Sequence, residues 1–140
     1  MTGYVLDDTV IEAFAFSDSI VVSALFGMTE RDIRFSVPAA TLARAQVSLS
    51  DDMISDINSM ILHLPALQLE PLASTSEVTE LARVLGATNE QTQSEDFAAA
   101  HAVVVARKFD WPIVTTSLTR WEPITRVLDI DVREMRDSPE

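Results

Sequence analysis

The feature that most constrains this chain is an alternation. Short apolar runs take turns with longer segments whose apolar residues recur at helical spacing. Gly3-Tyr4-Val5-Leu6 is the first run, and it stops at the acidic pair Asp7-Asp8. Phe35-Ser36-Val37, Leu67 to Leu69, Trp111-Pro112-Ile113-Val114-Thr115 and Ile130-Asp131-Val132 read as further short strands. The intervening spacing predicts helices. They run from Val10 to Phe16, and from Ser19 to Phe26 with a Ser17-Asp18 cap and Gly27 as terminator. Pro38 opens a helix reaching Leu49, and Ser50-Asp51-Asp52 opens another that Pro65 stops. Ser74-Thr75-Ser76-Glu77 has the form of a capping box before a helix ended by Gly86, with Ala87 to Gln93 as a polar connection. Ser94 to Lys108 is the best-marked helix, with acidic residues in its first turn and Arg107-Lys108 in its last. Thr119-Arg120-Trp121-Glu122 reads as a second capping box, with Pro123 in the first turn after it. Parallel strands need long crossover connections, and helices supply them. The expected fold is therefore α/β, a three-layer α/β/α sandwich with a central, mainly parallel sheet.

At 140 residues the chain has the length of one domain, expected over 1–134, with a charged tail at 135–140. The absence of cysteine removes disulfides, thiolate metal sites and cysteine nucleophiles. Three dispersed glycines exclude a phosphate-cradling glycine loop. No charge-free apolar run reaches the roughly 18 residues of a membrane span. The first residues show neither the basic flank nor the apolar segment of an export signal, so a cytoplasmic protein is expected. The formal net charge of −12 disfavours RNA and DNA, whose binding depends on Lys and Arg displacing counterions. Lys108 is the only lysine, so any basic patch must be built from arginine.

In parallel sheets of this kind, ligands bind beyond the carboxyl ends of the strands, where the strand order reverses. Asp7 and Asp8 follow the first strand, Thr116 and Ser117 follow the fourth, and Glu95-Asp96 open the long helix. Carboxylates that converge from separate elements are the ligands that Mg²⁺ or Mn²⁺ prefers. The same residues also serve as ordinary caps. His101 lies five residues after Asp96, off its helical face, and is expected to pack rather than ligate. His63 sits at a helix end as a dipole partner. Met53, Ile54, Ile57, Met60 and Ile61 form a core stripe, and Trp111 and Trp121 are expected to pack.

The order of these features resembles a known family. Tyr4-Val5-Leu6-Asp7-Asp8-Thr9-Val10-Ile11 looks like the opening strand of PIN-domain ribonucleases. Val37-Pro38-Ala39-Ala40-Thr41-Leu42-Ala43-Arg44-Ala45 resembles their second strand and following helix. Ser94-Glu95-Asp96-Phe97-Ala98-Ala99-Ala100-His101-Ala102 resembles their acidic helix, and Trp111 to Ser117 their fourth strand with its threonine-rich end. Trp121 and Ile130-Asp131-Val132 complete a co-linear set over nearly the whole chain.

The resemblance implies a PIN-like α/β/α fold. It also implies a metal-dependent endoribonuclease, often the dimeric toxin of a toxin–antitoxin pair, with about four acidic site positions. Asp7 matches the first position and Asp96 the third. Arg44 stands where the family carries a glutamate, and Ser117 where it usually carries an aspartate. Asp8 and Glu95 are the nearest substitutes, but adjacent residues point in different directions. A guanidinium among carboxylates supplies the counter-charge that a metal otherwise provides. Arg44 is therefore expected to replace the metal, leaving a remnant site of Asp7, Asp96 and Ser117 with no cofactor. The protein then acts as a binding or regulatory module, as a homodimer, with a basic antitoxin-like partner. The alternative keeps an active Mg²⁺- or Mn²⁺-dependent endoribonuclease. In it Asp7 and Asp96 hold the metal, Ser117 assists through water, and Arg44 turns to solvent.

Overall fold

A computed structural model of the chain describes residues 2–92 and 96–135, the side chains of 90–92 excepted. The described strands are β1 (Gly3–Leu6), β2 (Arg34–Pro38), β3 (Leu67–Glu70), β4 (Ile113–Thr115) and β5 (Val132–Glu134). They form one sheet in the order β3-β2-β1-β4-β5, and every neighbouring pair is parallel. The described helices are α1 (Asp8–Ala15), α2 (Ser19–Glu30), α3 (Ala39–Gln46), α4 (Asp51–His63), α5 (Thr75–Thr92), α6 (Phe97–Phe109) and α7 (Leu118–Thr125). No single described helix is long and apolar enough to cross a membrane.

Strand residues alternate between two cores, as the period of a β-strand requires. Leu6, Phe35, Val37 and Val114 face a core closed by Val10 and Ile11 of α1, Val21 and Leu25 of α2, Ala45 of α3 and Ile57 of α4. Val5 and Ile113 face the other core, closed by Leu81 and Val84 of α5, the alanine and valine run of α6, and Trp121 and Ile124 of α7. Burying each such Val, Leu or Ile contributes about 1.5–3 kcal/mol. Helix α6 is buried from Ala98 to Ala106 because its small side chains let it pack on several neighbours at once.

Several caps match the sequence. Asp18 accepts from the Ile20 and Val21 amides, Ser50 from that of Met53 and Ser74 from that of Glu77. Other ends differ. Gly27 lies inside α2 and Gly86 inside α5, so neither terminates a helix. The left-handed residues are Ser17 (φ 61°), Asp32 (φ 65°) and Asp110 (φ 57°), each just past a helix end, and none of the glycines has positive φ. The expected connection from Ala87 is helical to Thr92, because Leu81, Val84 and Thr88 continue one buried stripe. Helix α7 begins at Leu118, which puts Pro123 inside it and turns the expected second capping box into helix interior. The last strand falls two residues later than expected. Asp131 offers its carbonyl to the Ile113 amide at 2.9 Å, and Val132 is the residue in register with Ile113. Ser94 and Glu95, the expected start of the acidic helix, and residues 136–140 of the expected tail lie outside the described residues.

Candidate functional site

The strand order reverses between β1 and β4, so their carboxyl ends meet at the crevice where this topology binds ligands. Asp7 leaves β1 there and caps α1. Its Oδ1 accepts from the Val10 amide at 3.0 Å and from the Thr9 hydroxyl at 2.7 Å. Its Oδ2 accepts from the indole N–H of Trp121 at 2.9 Å. Asp7 is fully buried, and three donors satisfy its charge. Thr9 also ties β4 into the crevice by accepting from the Thr116 amide at 3.0 Å.

Asp8, Asp96 and Arg120 form the centre of the crevice. Asp8 opens α1, and Asp96 caps α6 by accepting from the Ala99 amide at 3.0 Å. Arg120, in the first turn of α7, sets Nη2 2.8 Å from Asp8 Oδ1 and Nη1 3.1 Å from Asp96 Oδ2. The side chains of Arg120 and Asp8 are 19% and 10% exposed, so water screens their pair weakly. The Arg120 guanidinium also lies 5.0 Å over the Trp121 ring.

Electrostatics bind the cluster together. Burial pushes the Asp8 carboxyl above the ordinary aspartate range; Arg120 opposes this, and Asp7 and Asp96 add to it. Burial likewise works against the Arg120 charge, but Asp8, Asp96 and Asp7 outweigh it and raise its pKa. All three carboxylates therefore act on one guanidinium.

The structure brings two of the sequence candidates, Asp7 and Asp96, to this crevice. Ser117 is also at its edge as the residue before α7, but its side chain makes no capping bond. The expected pairing of Arg44 with Asp7 or Asp96 is absent. Thr41 and Ala45 take the buried face of α3, Arg44 is exposed, and it makes no ion pair among the described residues. The counter-charge comes from Arg120 instead, a residue that its apparent capping box concealed. The signal for it was position: an arginine next to a large aromatic, just beyond the strand at the reversal point. Glu95 lies outside the described residues.

A divalent cation does not fit the donor set as arranged. Both oxygens of Asp7 hold protein donors, Asp8 Oδ1 and Asp96 Oδ2 lie against the positive charge of Arg120, Asp96 Oδ1 holds the Ala99 amide, and Ser117 offers a neutral hydroxyl. Among the described residues no group of three or more His, Asp or Glu is disposed to hold a metal. His101 is fully buried and accepts the Ala40 amide at Nδ1, 3.2 Å away, so it packs α6 against the start of α3. His63 Nδ1 meets the Ser59 carbonyl at 2.8 Å within its own helix.

No protein-family model and no curated protein matches the sequence. Solved structures do match. The chain is 15% identical to VapBC2 of Rickettsia felis bound to a promoter DNA fragment, over 95% of this chain and 98% of that one, with a TM-score of 0.64. It is 16% identical to FitAB bound to a DNA fragment, over 94% of each chain, also at 0.64. For FitAcB of Neisseria gonorrhoeae the values are 15% identity, 92% and 95% coverage, and a TM-score of 0.60. These proteins are of the PIN-domain toxin type, and the full-length likeness shows that the present chain has the PIN fold.

Proposed function

We propose that this chain is a PIN-fold protein of the toxin–antitoxin kind whose strand-end site is closed by its own arginine. It works by binding a partner protein, with no metal and no RNA cleavage. The observation that carries this reading is the Arg120 guanidinium held between Asp8 at 2.8 Å and Asp96 at 3.1 Å. Neighbouring carboxylates need a cation, and here the cation is covalently part of the protein. A divalent ion would have to displace Arg120 and share the crevice with it. Two unit charges 4 Å apart interact by about 4 kcal/mol at an effective dielectric near 20, and a divalent ion doubles that. The net charge of −12 favours a basic, antitoxin-like protein and disfavours direct contact with RNA. The likeness to the two-component VapBC and FitAB structures supports a partner of that kind, and a homodimer is part of the same reading.

One observation favours a second reading. Asp8 and Asp96 both pair with Arg120, and Asp7 acts on its charge, so removal of that side chain would leave Asp8 and Asp96 without their shared cation. In an active Mg²⁺- or Mn²⁺-dependent endoribonuclease, Arg120 would yield to a metal held by Asp7 and Asp96, with Ser117 assisting.

A calorimetric Mn²⁺ titration decides between them. The parent should show no saturable binding. Arg120→Met keeps the apolar stem over Trp121 and should acquire one saturable site, with a melting temperature that rises with Mn²⁺. Saturable binding in the parent, lost in Asp96→Asn and accompanied by RNA cleavage, would overturn the closed-site reading.

A further inference from the structure

Away from the strand-end site, on the β2–β3 side of the sheet, lies a cleft of about 390 Å³. Its lining includes Arg34, Ser36, Gln68, Glu70, Phe109 and Trp111. We propose that this cleft is a binding site for a small planar aromatic anion of mononucleotide size.

The floor is set by strand register. Ser36 pairs with Val5 on one side and Gln68 on the other, and Val5 belongs to the α5–α6 core. Ser36 therefore points to the α6 face of the sheet. It is 2% exposed, and its hydroxyl has no hydrogen-bond partner. Buried hydroxyls are normally bonded, so an orphan on a cleft floor is a donor and acceptor waiting for a ligand. Among the described residues Arg34 makes no ion pair, and on a chain with 22 acidic residues an uncommitted, half-buried guanidinium is conspicuous. Glu70 is committed to Lys108 at 2.5 Å, so it does not cancel the Arg34 charge.

The wall is aromatic and fixed in place. The Phe109 and Trp111 rings stack with centroids 4.8 Å apart and planes 25° from parallel. Trp111 is seated on Gly3, where a Cβ would come within 2.5 Å of the indole. The glycine thus lets the indole lie on the backbone of β1. Phe109, 37% exposed, continues this wall to the surface. A flat ring against the wall, a charged group on Arg34 and a polar edge reaching Ser36 and Gln68 would satisfy every uncommitted group. The volume falls in the range of small-ligand sites, which is ~300–1,000 Å³.

The inference uses no residue of the strand-end crevice and stands or falls apart from it. Its test is calorimetric titration of the full chain with adenosine 5′-monophosphate, adenosine and inorganic phosphate. The monophosphate should bind saturably, and adenosine and phosphate each far more weakly. Arg34→Gln should weaken binding about tenfold or more, the effect of losing one charge-assisted hydrogen bond. Ser36→Ala removes the orphaned hydroxyl and adds no bulk. It should reduce binding while leaving the melting temperature equal or higher, which a merely structural serine would not do. Absence of saturable monophosphate binding overturns the proposal. So does binding that Arg34→Gln leaves unchanged, or phosphate alone binding as tightly as the nucleotide.

Discussion

Asp8 is the residue on which the strand-end site balances. Burial raises its pKa, Arg120 opposes this, and the neighbouring carboxylates Asp7 and Asp96 add to the rise, so the net shift is upward. The folded protein therefore keeps the Asp8 proton to a higher pH than the unfolded chain does. Below the ordinary aspartate value of about 3.9 both states are protonated, and no penalty exists. As pH rises through the folded value, stability due to this group is lost, because the native state now binds more protons than the unfolded one. Asp8→Asn does not titrate, so its stability should gain on the parent between about pH 4 and neutrality. Denaturant unfolding of both proteins over that range checks this; a constant gap, or one moving the other way, would refute it. Asp7 and Asp96 were legible as residues of this crevice because they stand at positions the topology itself selects, after a strand and before a helix. Arg120 was not. Its partners lie 112 and 24 residues away in sequence, and a contact of that range leaves no local pattern.

At the scale of the element, hydrophobic period was a better guide than punctuation. The strands and the faces of the helices were readable because alternation and helical spacing are direct consequences of burial. Helix ends were misread wherever glycine was taken as a stop. A glycine terminates a helix by adopting positive φ, and Gly27 and Gly86 have no such conformation. Both have open space around a built Cβ, with no atom within 4 Å. Gly27→Ala and Gly86→Ala should each stabilise the protein by about 0.5–1 kcal/mol, since alanine loses less backbone freedom in a helix. Gly3→Ala should do the reverse, because its methyl meets the Trp111 ring at 2.5 Å. A loss of about 1–3 kcal/mol is expected for such overpacking. Thermal unfolding of the three variants checks both signs, and a stabilising Gly3→Ala would show that the indole is not seated on β1.

At the scale of the whole molecule, charge separates what is local from what is global. The fold sets Asp8 and Asp96 against one arginine, with Asp7 acting on its charge, yet the chain carries a net −12. Local compensation at the crevice does nothing for the repulsion among the remaining surface carboxylates, which favours any state with greater separation. Salt discriminates between these two kinds of electrostatics. The Arg120 cluster is partly buried and is screened weakly, whereas exposed charges are largely screened beyond about 10 Å at 0.1 M ionic strength. If global repulsion dominates, the melting temperature should rise steadily as sodium chloride goes from about 0.01 M to about 1 M, where the screening length falls from about 30 Å to about 3 Å. If the described ion pairs dominated, salt would weaken them and the melting temperature would fall. The expected rise bears on function, because a basic partner neutralises the same carboxylates that salt screens. Stability gained from such a partner should therefore be greatest at low salt and should shrink as salt is added. A partner whose stabilising effect did not change with ionic strength would be binding through apolar surface, and the charge argument for its basic character would fail.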